Sequence, residues 1–404
     1  MNNDLLVGKD SFNYNYYNSN YMQFLLNFFV KLQTGGSKDA IKVGGLEHLL
    51  KINDEENSTF TLISNHFSLQ DTNLPNLYLF NNGLDKNLPR TFGGNNLQFP
   101  FLTKNFYFIP AFIDMEKCGM ISIERMNKSN SKRRIEQMKE QLSEFYENEI
   151  NTRFFLTDGR PRNEIFKGKK ASFIKLIPEV VNNIENKIYI VPEVISYERI
   201  VGDWTFNRQD LMKKPNLLIE WMENKIPAKY FSKLTKEILK NNNIKHLLHN
   251  SAVFWDAIAL LYNSTEPSTT IHIDYLDPIL IKGNENGNEF YKNIEQKIYD
   301  NLRVSATNIL SYIIFNHYQN DHGILKYSET LDKIDELKES LIDKKVPLFH
   351  NVENSSGEEI FENGNRVLRE ARLIPAFICK GEEIFMNPKS KLLKYYASRF
   401  FDYK

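Results

Sequence analysis

Cysteine is scarce in this chain of 404 residues. Only Cys118 and Cys379 occur, which argues against a disulfide framework and favours a reducing compartment. The N-terminal residues are rich in Asn and Tyr and lack the basic, apolar, small-residue order of a secretion signal. We therefore expect a cytoplasmic protein.

Long apolar runs are also missing. No stretch reaches the roughly eighteen residues of a membrane span, because Tyr21–Leu32 and Phe99–Ile113 are too short or too interrupted. Tyr21–Leu32 predicts a buried amphipathic helix, with a membrane-surface helix as the alternative. The predicted C-terminal helix Asn387–Tyr403 has the same two alternatives, since leucines and aromatics occupy one side and basic residues the others. Peripheral contact with membrane lipid therefore stays open.

Neither sign of charge is in excess. The chain has 51 Lys and Arg against 51 Asp and Glu, so no global field would attract nucleic acid and any basic site must be local. A Walker or dinucleotide glycine loop and a Gly-x-Ser-x-Gly nucleophile elbow are both missing. The histidine pairs at 246/249 and 317/322 have no accompanying cysteine or acidic ligands, so we predict no metal and no bound cofactor.

Strand-like and helix-like segments alternate from about Ile41 to Lys282, which predicts an α/β domain. We expect an N-terminal helical arm at 1–45, a main domain at 46–285 and a mostly helical C-terminal region at 286–404. The predicted strands are Thr59–Ser64, Phe106–Ile113, Met120–Ile123, Arg153–Leu156, Lys187–Ser196 and Thr269–Ile281. The predicted helices include Lys132–Ile150, a second one between Lys169 and Val181, and Asn207–Tyr262.

The best catalytic candidates lie in the stretch TFTLISNHFSLQDTNLP, Thr59–Pro75. A β-branched and aromatic run breaks at a polar turn that holds His66, and Asp71 follows five positions later. Residues five apart do not share a helix face, so the pair meets only if a helix opens near Asp71 and the turn folds back. A carboxylate on one imidazole nitrogen leaves the other nitrogen able to accept a proton. The alternative is a capping Asp and a surface His.

A local basic site follows another predicted strand, in Phe154–Lys175. Arg160 and Arg162 stand two apart, and Lys169 is one of several lysines beyond them. Guanidinium groups beyond a strand end, together with the positive end of a helix beginning near Gly168–Ala171, suit a phosphate dianion. A solvated basic loop is the alternative. If the phosphate site forms, we expect it to face the same pocket as the histidine.

The Asn-His-x4-Asp pattern resembles the first signature of the glycerolipid acyltransferases. Gly119–Arg125, GMISIER, is similar to the second signature, Gly-x-x-x-Ile-x-Arg, whose arginine helps to hold the glycerol phosphate. Thr157–Arg162, TDGRPR, is similar to the third, Glu-Gly-Thr/Gly-Arg-Ser-Arg, although Thr and Asp replace Glu and Gly and a proline replaces Ser. Plastid glycerol-3-phosphate acyltransferases also lack that Glu. Ile190–Arg199, IVPEVISYER, looks like the fourth signature, whose apolar strand and proline line the acyl pocket.

Two details resemble the bacterial and mitochondrial glycerol-3-phosphate branch in particular. They are the Tyr-Glu ending of the fourth segment and the Gly-x-Asn-Leu segment in Gly93–Phe99. The resemblance spans about Thr59 to Ile281, with its segments in the family's order. It implies that residues 46–285 form an acyltransferase domain with a mixed central sheet flanked by helices.

The resemblance also implies an activity, glycerol-3-phosphate 1-O-acyltransferase, in phospholipid biosynthesis. Acyl-CoA or acyl carrier protein would donate the acyl group to the sn-1 hydroxyl of glycerol 3-phosphate, giving lysophosphatidate. Lysophosphatidate or dihydroxyacetone phosphate as acceptor, and a non-catalytic lipid-binding homologue, are the alternatives. The implied roles are His66 as base, Asp71 as its orienting acid, Arg125, Arg160, Arg162 and Lys169 on the phosphate, and Pro192 and Val194 in the acyl pocket.

Overall fold

The computed structural model describes residues 10, 12–20, 23, 27, 40–67, 71, 73–85, 87–94, 119–123, 131–157, 172–200, 269–320, 323–370, 375–388 and 390–400. The predicted strand Phe106–Ile113 and the predicted helix Asn207–Tyr262 lie outside these residues. The predicted helix Tyr21–Leu32 also lies outside them, apart from positions 23 and 27.

A mixed sheet of eight strands forms the centre of the described structure. The strands are β1 (Ile41–Gly44), β2 (Ser58–Ser64), β3 (Arg90–Gly94), β4 (Met120–Ile123), β5 (Thr152–Phe155), β6 (Lys187–Tyr197), β7 (Ile271–Tyr275) and β8 (Ile279–Ile281). Their order is β1-β7-β6-β2-β5-β3-β4, with β8 also beside β6. Strands β6, β2, β5, β3 and β4 are parallel to one another, whereas β7 and β8 pair antiparallel with β6. The predicted α/β class with a mixed central sheet is confirmed.

Eleven α-helices lie in the described part of the chain. They are α1 (Tyr14–Tyr17), α2 (Leu46–Asn53), α3 (Asn73–Asn81), α4 (Ser131–Glu147), α5 (Ile177–Val181), α6 (Gly287–Asn301), α7 (Ala306–Asn320), α8 (Tyr327–Asp343), α9 (His350–Glu353), α10 (Gly357–Asn365) and α11 (Leu392–Ala397). Helix α4 confirms the helix predicted at Lys132–Ile150, because its apolar residues Met138, Leu142 and Phe145 fall at helical spacing and are buried.

Helices cover both faces of the sheet. All seven residues of β2 are buried, as expected for a parallel strand that is covered on both sides. The hydroxyl groups of Thr61 and Tyr146, in α4, lie 2.8 Å apart. The next residue, Leu62, is in register with Arg153, whose guanidinium donates to Asn76 in α3. Because successive strand residues point to opposite faces, α3 and α4 lie on opposite sides of the sheet.

The segment Thr269–Ile281, predicted as one strand, is two strands in the structure. Strands β7 and β8 are separated by Leu276-Asp277-Pro278, and the Leu276 N–H donates to the carbonyl of Pro192 at 3.0 Å. Pro192 lies where β6 changes partner from β8 to β7. A residue without an N–H is tolerated at such an interruption of the ladder. Strand β3 was not among the strands predicted from the sequence.

Most of the described residues after 286 are helical, with α7 packed against α8, α10 and α11. This region also contains a small sheet that the sequence analysis missed. Its strands are β9 (Leu325–Lys326), β10 (Phe377–Lys380) and β11 (Glu383–Met386), in the order β10-β11-β9. Strands β10 and β11 form a tight hairpin at Gly381, whose φ of 59° suits glycine. Four-residue strands are too short to give a clear period of two.

The C-terminal helix predicted at Asn387–Tyr403 is shorter in the structure, where α11 runs into a helical turn at Ser398–Phe400. Leu393 and Tyr396 in α11 are buried. Arg399 is fully buried and donates to the carbonyl of Leu302 at 2.6 Å. These contacts support packing against the protein over a membrane-surface helix. Among the described helices, none combines the length and the hydropathy needed to cross a bilayer.

The domain boundaries at 45 and 285 remain predictions. Strand β1 belongs to the segment assigned to the N-terminal arm, and it pairs with β7 in the central sheet. Helix α6 begins just after the second boundary and packs against β6 and the helical turn Ser172–Leu176. Its start is fixed by Asn286, whose side chain accepts from the N–H groups of the first turn.

Candidate active site

The site begins where β2 ends. Ser64 is the last residue of β2 and lies in register with Phe155 of β5 and Glu193 of β6. The buried side chain of Asn65 then takes the place of a peptide group: its Nδ2 donates to the Ile195 carbonyl at 2.9 Å, and its Oδ1 accepts from the Ile195 N–H at 2.8 Å. The backbone can therefore turn away from the sheet while the end of β2 stays fixed to β6.

The next residue, His66, pairs with Asp71. Its Nδ1 lies 3.1 Å from Asp71 Oδ2, so the chain folds back between these residues just before α3 begins. A carboxylate accepts hydrogen bonds, which favours the tautomer with the proton on Nδ1 and the lone pair on Nε2. The imidazole is 15% exposed, whereas the carboxylate is fully buried. The arrangement can act as a general base with an orienting acid.

Two further groups hold the Asp71 carboxylate. The Phe67 N–H donates to Oδ2 at 2.6 Å, and the Tyr197 hydroxyl donates to Oδ1. Burying a carboxylate is costly unless donors replace its water, and these donors together with the imidazole do so. Tyr197 is the last residue of β6 and is 126 positions away along the chain. Its contact with the carboxylate was missed, because no local pattern indicates a partner at that distance.

The imidazole lies over the end of β5. The rings of His66 and Phe155 stack, with centroids 4.3 Å apart and an angle of 23° between planes. Beyond Phe155, the Leu156 N–H donates to the Ser64 carbonyl at 2.9 Å, and the Tyr291 hydroxyl of α6 donates to the Leu156 carbonyl at 2.7 Å. The chain that leads toward the predicted phosphate site is therefore held beside the histidine.

The four cationic residues predicted to bind phosphate lie outside the described residues; they are Arg125, Arg160, Arg162 and Lys169. The structure shows only the strands that precede them along the chain. Arg125 follows β4, and the other three residues follow β5. Strand β5 is parallel and adjacent to β2, and β4 is parallel and three strands from β2, or about 14 Å at normal strand spacing. All three strands point their carboxyl ends to one edge of the sheet. Thr157, which stands where the resembling signature has Glu, is buried.

Pro192 and Val194, predicted to line an acyl pocket, lie in β6 and are buried. Residues of a strand alternate between faces, so these two share one face of the sheet and Tyr197 lies on the other. Val194 belongs to the hydrophobic core. An acyl pocket built on these residues would therefore lie across the sheet from Asp71.

A buried ion pair lies on the same face as Tyr197. Arg153 donates from Nε to Glu193 Oε2 at 3.0 Å and from Nη2 to Oε1 at 2.9 Å, and neither side chain has exposed surface. Burial raises the pKa of Glu193, and the Arg153 charge opposes that rise. This pair was not predicted from the sequence. Its signal was one charge of each sign inside two predicted strands, Arg153–Leu156 and Lys187–Ser196.

Among the described residues, no group of three or more His, Cys, Asp or Glu side chains could hold a metal ion. His317 belongs to one of the two histidine pairs seen in the sequence. It is buried, and its Nε2 lies 3.1 Å from the carbonyl of Gly323.

Among known proteins, only a distant similarity in structure was found. No protein-family model matches the chain, and no curated protein sequence matches it. Among solved structures, it is similar to the 1-acyl-sn-glycerophosphate (LPA) acyltransferase PlsC from Thermotoga maritima, with 14% identity and a TM-score of 0.32. The match covers 69% of this chain and 77% of that one. A likeness this distant assigns neither family nor substrate, so the function has to be inferred from the site.

Proposed function

We propose that the protein is a glycerolipid acyltransferase that moves an acyl group from a thioester to a hydroxyl of a phosphorylated glycerol acceptor. The observation that carries the proposal is the His66–Asp71 pair at the carboxyl ends of the parallel strands β2 and β5. Its imidazole has partial access to solvent, and its carboxylate is fully buried. The order of the four resembling segments along the chain supports the same activity.

The pair suits an alcohol attacking a thioester. His66 Nε2 takes the hydroxyl proton as the oxygen attacks the thioester carbonyl carbon, and Asp71 stabilises the imidazolium that forms. Collapse of the tetrahedral intermediate then breaks the carbon–sulfur bond. The leaving sulfur takes the proton from the imidazolium, which returns His66 to its starting state. No covalent acyl-enzyme is needed, because a thiol is already a good leaving group.

We further propose glycerol 3-phosphate as the acceptor, acylated at sn-1, with acyl-CoA or acyl carrier protein as donor. Arg160 and Arg162 follow β5, which ends in register with β2 and beside the histidine. Guanidinium groups near that position would bind the phosphate in bidentate fashion and orient the hydroxyl toward the base. Arg125 and Lys169 would add charge from neighbouring segments. Lysophosphatidate and dihydroxyacetone phosphate are the alternative acceptors.

The decisive experiment compares His66→Ala with a matched histidine variant, using radiolabelled glycerol 3-phosphate and both acyl donors. His48 is a suitable control, because its Nε2 lies 3.5 Å from Asp277 in a second His–Asp pair that is more exposed. Loss of a general base lowers kcat by roughly 10²- to 10⁴-fold, so we expect this for His66→Ala and a wild-type rate for His48→Ala. Near wild-type turnover in folded His66→Ala would remove His66 as the base.

A panel of acceptors with one acyl donor tests the substrate. We expect Arg160→Ala to raise KM for glycerol 3-phosphate much more than it lowers kcat, because the phosphate contact is made in both ground and transition states. An unchanged KM would argue against the phosphate site. Binding of acyl chains or liposomes without transfer to any acceptor would instead show the non-catalytic alternative, which the replacement at Thr157 motivates.

A further inference from the structure

The Arg153–Glu193 pair is in an unusual place for charge, since it joins β5 to β6 across β2 and neither side chain has exposed surface. Replacing a buried ion pair by apolar residues of similar volume is often neutral or stabilising. Stability alone is therefore a weak reason for such a pair to be present. Its neighbours suggest another reason.

The pair lies on the same face of the sheet as Tyr197, which donates to Asp71. Glu193 is in register with Ser64, two residues before the histidine. Burial is the main cause of the raised pKa of Glu193, and the nearby charge of Asp71 raises it further. Two carboxylates are therefore buried close together on one face of the sheet, and Arg153 supplies a positive charge between strands β5 and β6.

The pair also holds the helix that follows Asp71. Arg153 Nη1 donates to Oδ1 of Asn76, a buried residue in the first turn of α3. Helix α3 begins at Asn73, two residues after Asp71. The position of the Asp71 backbone thus depends on where α3 sits on the sheet, and the Glu193–Arg153–Asn76 chain of hydrogen bonds ties α3 to two strands at once.

We propose that Arg153, Glu193 and Asn76 are positioning residues for the proposed active site. They hold α3, and with it the Asp71 carboxylate, at the distance and angle that His66 requires. Arg153 also places a positive charge beside the two buried carboxyl groups. The inference rests on the proposed acyl-transfer function for its kinetic test but has a separate spectroscopic test.

The kinetic test uses the volume-conserving double variant Arg153→Met/Glu193→Leu. We expect it to fold, with kcat reduced on the order of 10- to 100-fold, since small displacements of catalytic groups have effects of this size. KM for the acyl donor should stay within about twofold. A double variant that folds and keeps the wild-type kcat would show that the pair has only a structural role.

The matched control is Arg303→Met/Asp274→Leu. This pair also involves a strand of the central sheet, because Asp274 lies in β7. Arg303 Nε is 3.0 Å from Asp274 Oδ2, but both side chains are partly exposed. Asp274 is in register with Val194, on the opposite face from Tyr197. We expect lower stability and an unchanged kcat. An equal loss of kcat in the control would overturn the inference, because any disturbed ion pair would then have the same effect.

Asn76 gives a second test that needs no change to the charged pair. Asn76→Asp keeps an acceptor oxygen for Arg153, whereas Asn76→Leu removes it at similar volume. We expect kcat to fall in the Leu variant and to be largely restored in the Asp variant. Equal rates in both variants would contradict the positioning role, and this comparison remains decisive if the double variant does not fold.

The spectroscopic test separates this inference from the proposed function. The ¹⁵N shifts of the His66 ring report its tautomer, and the signals can be assigned by their loss in His66→Gln. We expect the wild type to carry its proton on Nδ1 and the Arg153→Met/Glu193→Leu variant to lose that preference. If the wild type transfers no acyl group, the proposed function fails but the tautomer still tests the positioning. An unchanged tautomer in a folded double variant would refute it.

Discussion

Asp71→Asn isolates the charge of the orienting carboxylate, because the surrounding donors fix how the new amide must lie. The Phe67 N–H and the His66 Nδ1 both face Oδ2, so the amide oxygen should take that position and keep both contacts. The amide nitrogen then faces the Tyr197 hydroxyl, which can rotate to accept from it. The histidine should therefore keep its tautomer and lose only the negative charge beside it.

The expected effect follows from that charge. An imidazolium and a carboxylate about 4 Å apart attract by about 4 kcal/mol at an effective dielectric constant near 20. If about half of the positive charge has formed in the transition state, the loss is about 2 kcal/mol, or roughly 30-fold in kcat. Stability should change little, since the hydrogen bonds to the Phe67 N–H, the His66 ring and the Tyr197 hydroxyl each have a counterpart. Asp71→Ala should be less stable, because the Phe67 N–H and the Tyr197 hydroxyl lose a buried acceptor.

The assay is release of free thiol from acyl-CoA in the presence of glycerol 3-phosphate, with thermal unfolding of each variant measured in parallel. A wild-type kcat in Asp71→Asn would refute the role of the carboxylate charge. A loss beyond about a thousandfold in a fully folded variant would refute the geometric reasoning instead, because it would mean that the amide reverses and the histidine changes tautomer.

Two other predictions concern stability. The pKa of His272 is lowered to about 4, first by burial and then by the Arg303 charge, so the native state resists protonation and stability should fall as pH drops from 6.5 toward 4. Between pH 7 and pH 5, the free energy of unfolding measured in urea should therefore fall by about 1 to 2 kcal/mol more in the wild type than in His272→Gln. An equal fall in both proteins would contradict this prediction. Asn65→Ala leaves the Ile195 N–H and carbonyl without their side-chain partners, so unfolding free energy should fall by about 2 to 4 kcal/mol. A change below about 0.5 kcal/mol would show that the end of β2 is held without Asn65.

Prediction from sequence succeeded where neighbouring residues decide the structure. Helix α4 follows from its apolar spacing, and β2 follows from its β-branched run. The prediction was incomplete where the pairing of distant strands decides the structure. Thr269–Ile281 has the composition of one strand, but Leu276-Asp277-Pro278 divides it into β7 and β8, which pair with different parts of β6. The small sheet of β9, β10 and β11 was missed, because strands this short depend on their partners more than on their own pattern.

Residues close along the chain were enough to predict that a strand ends just before His66 and that the His66–Asp71 pair forms if a helix opens near Asp71. The groups that hold the pair come from distant parts of the chain and follow from the packed fold. Tyr197 reaches Asp71 across 126 positions, Asn65 bonds Ile195 across 130, and Arg153 meets Glu193 across 40. These contacts depend on which strands are neighbours and in what register, and strand order is set by packing of the whole core, which no local pattern specifies.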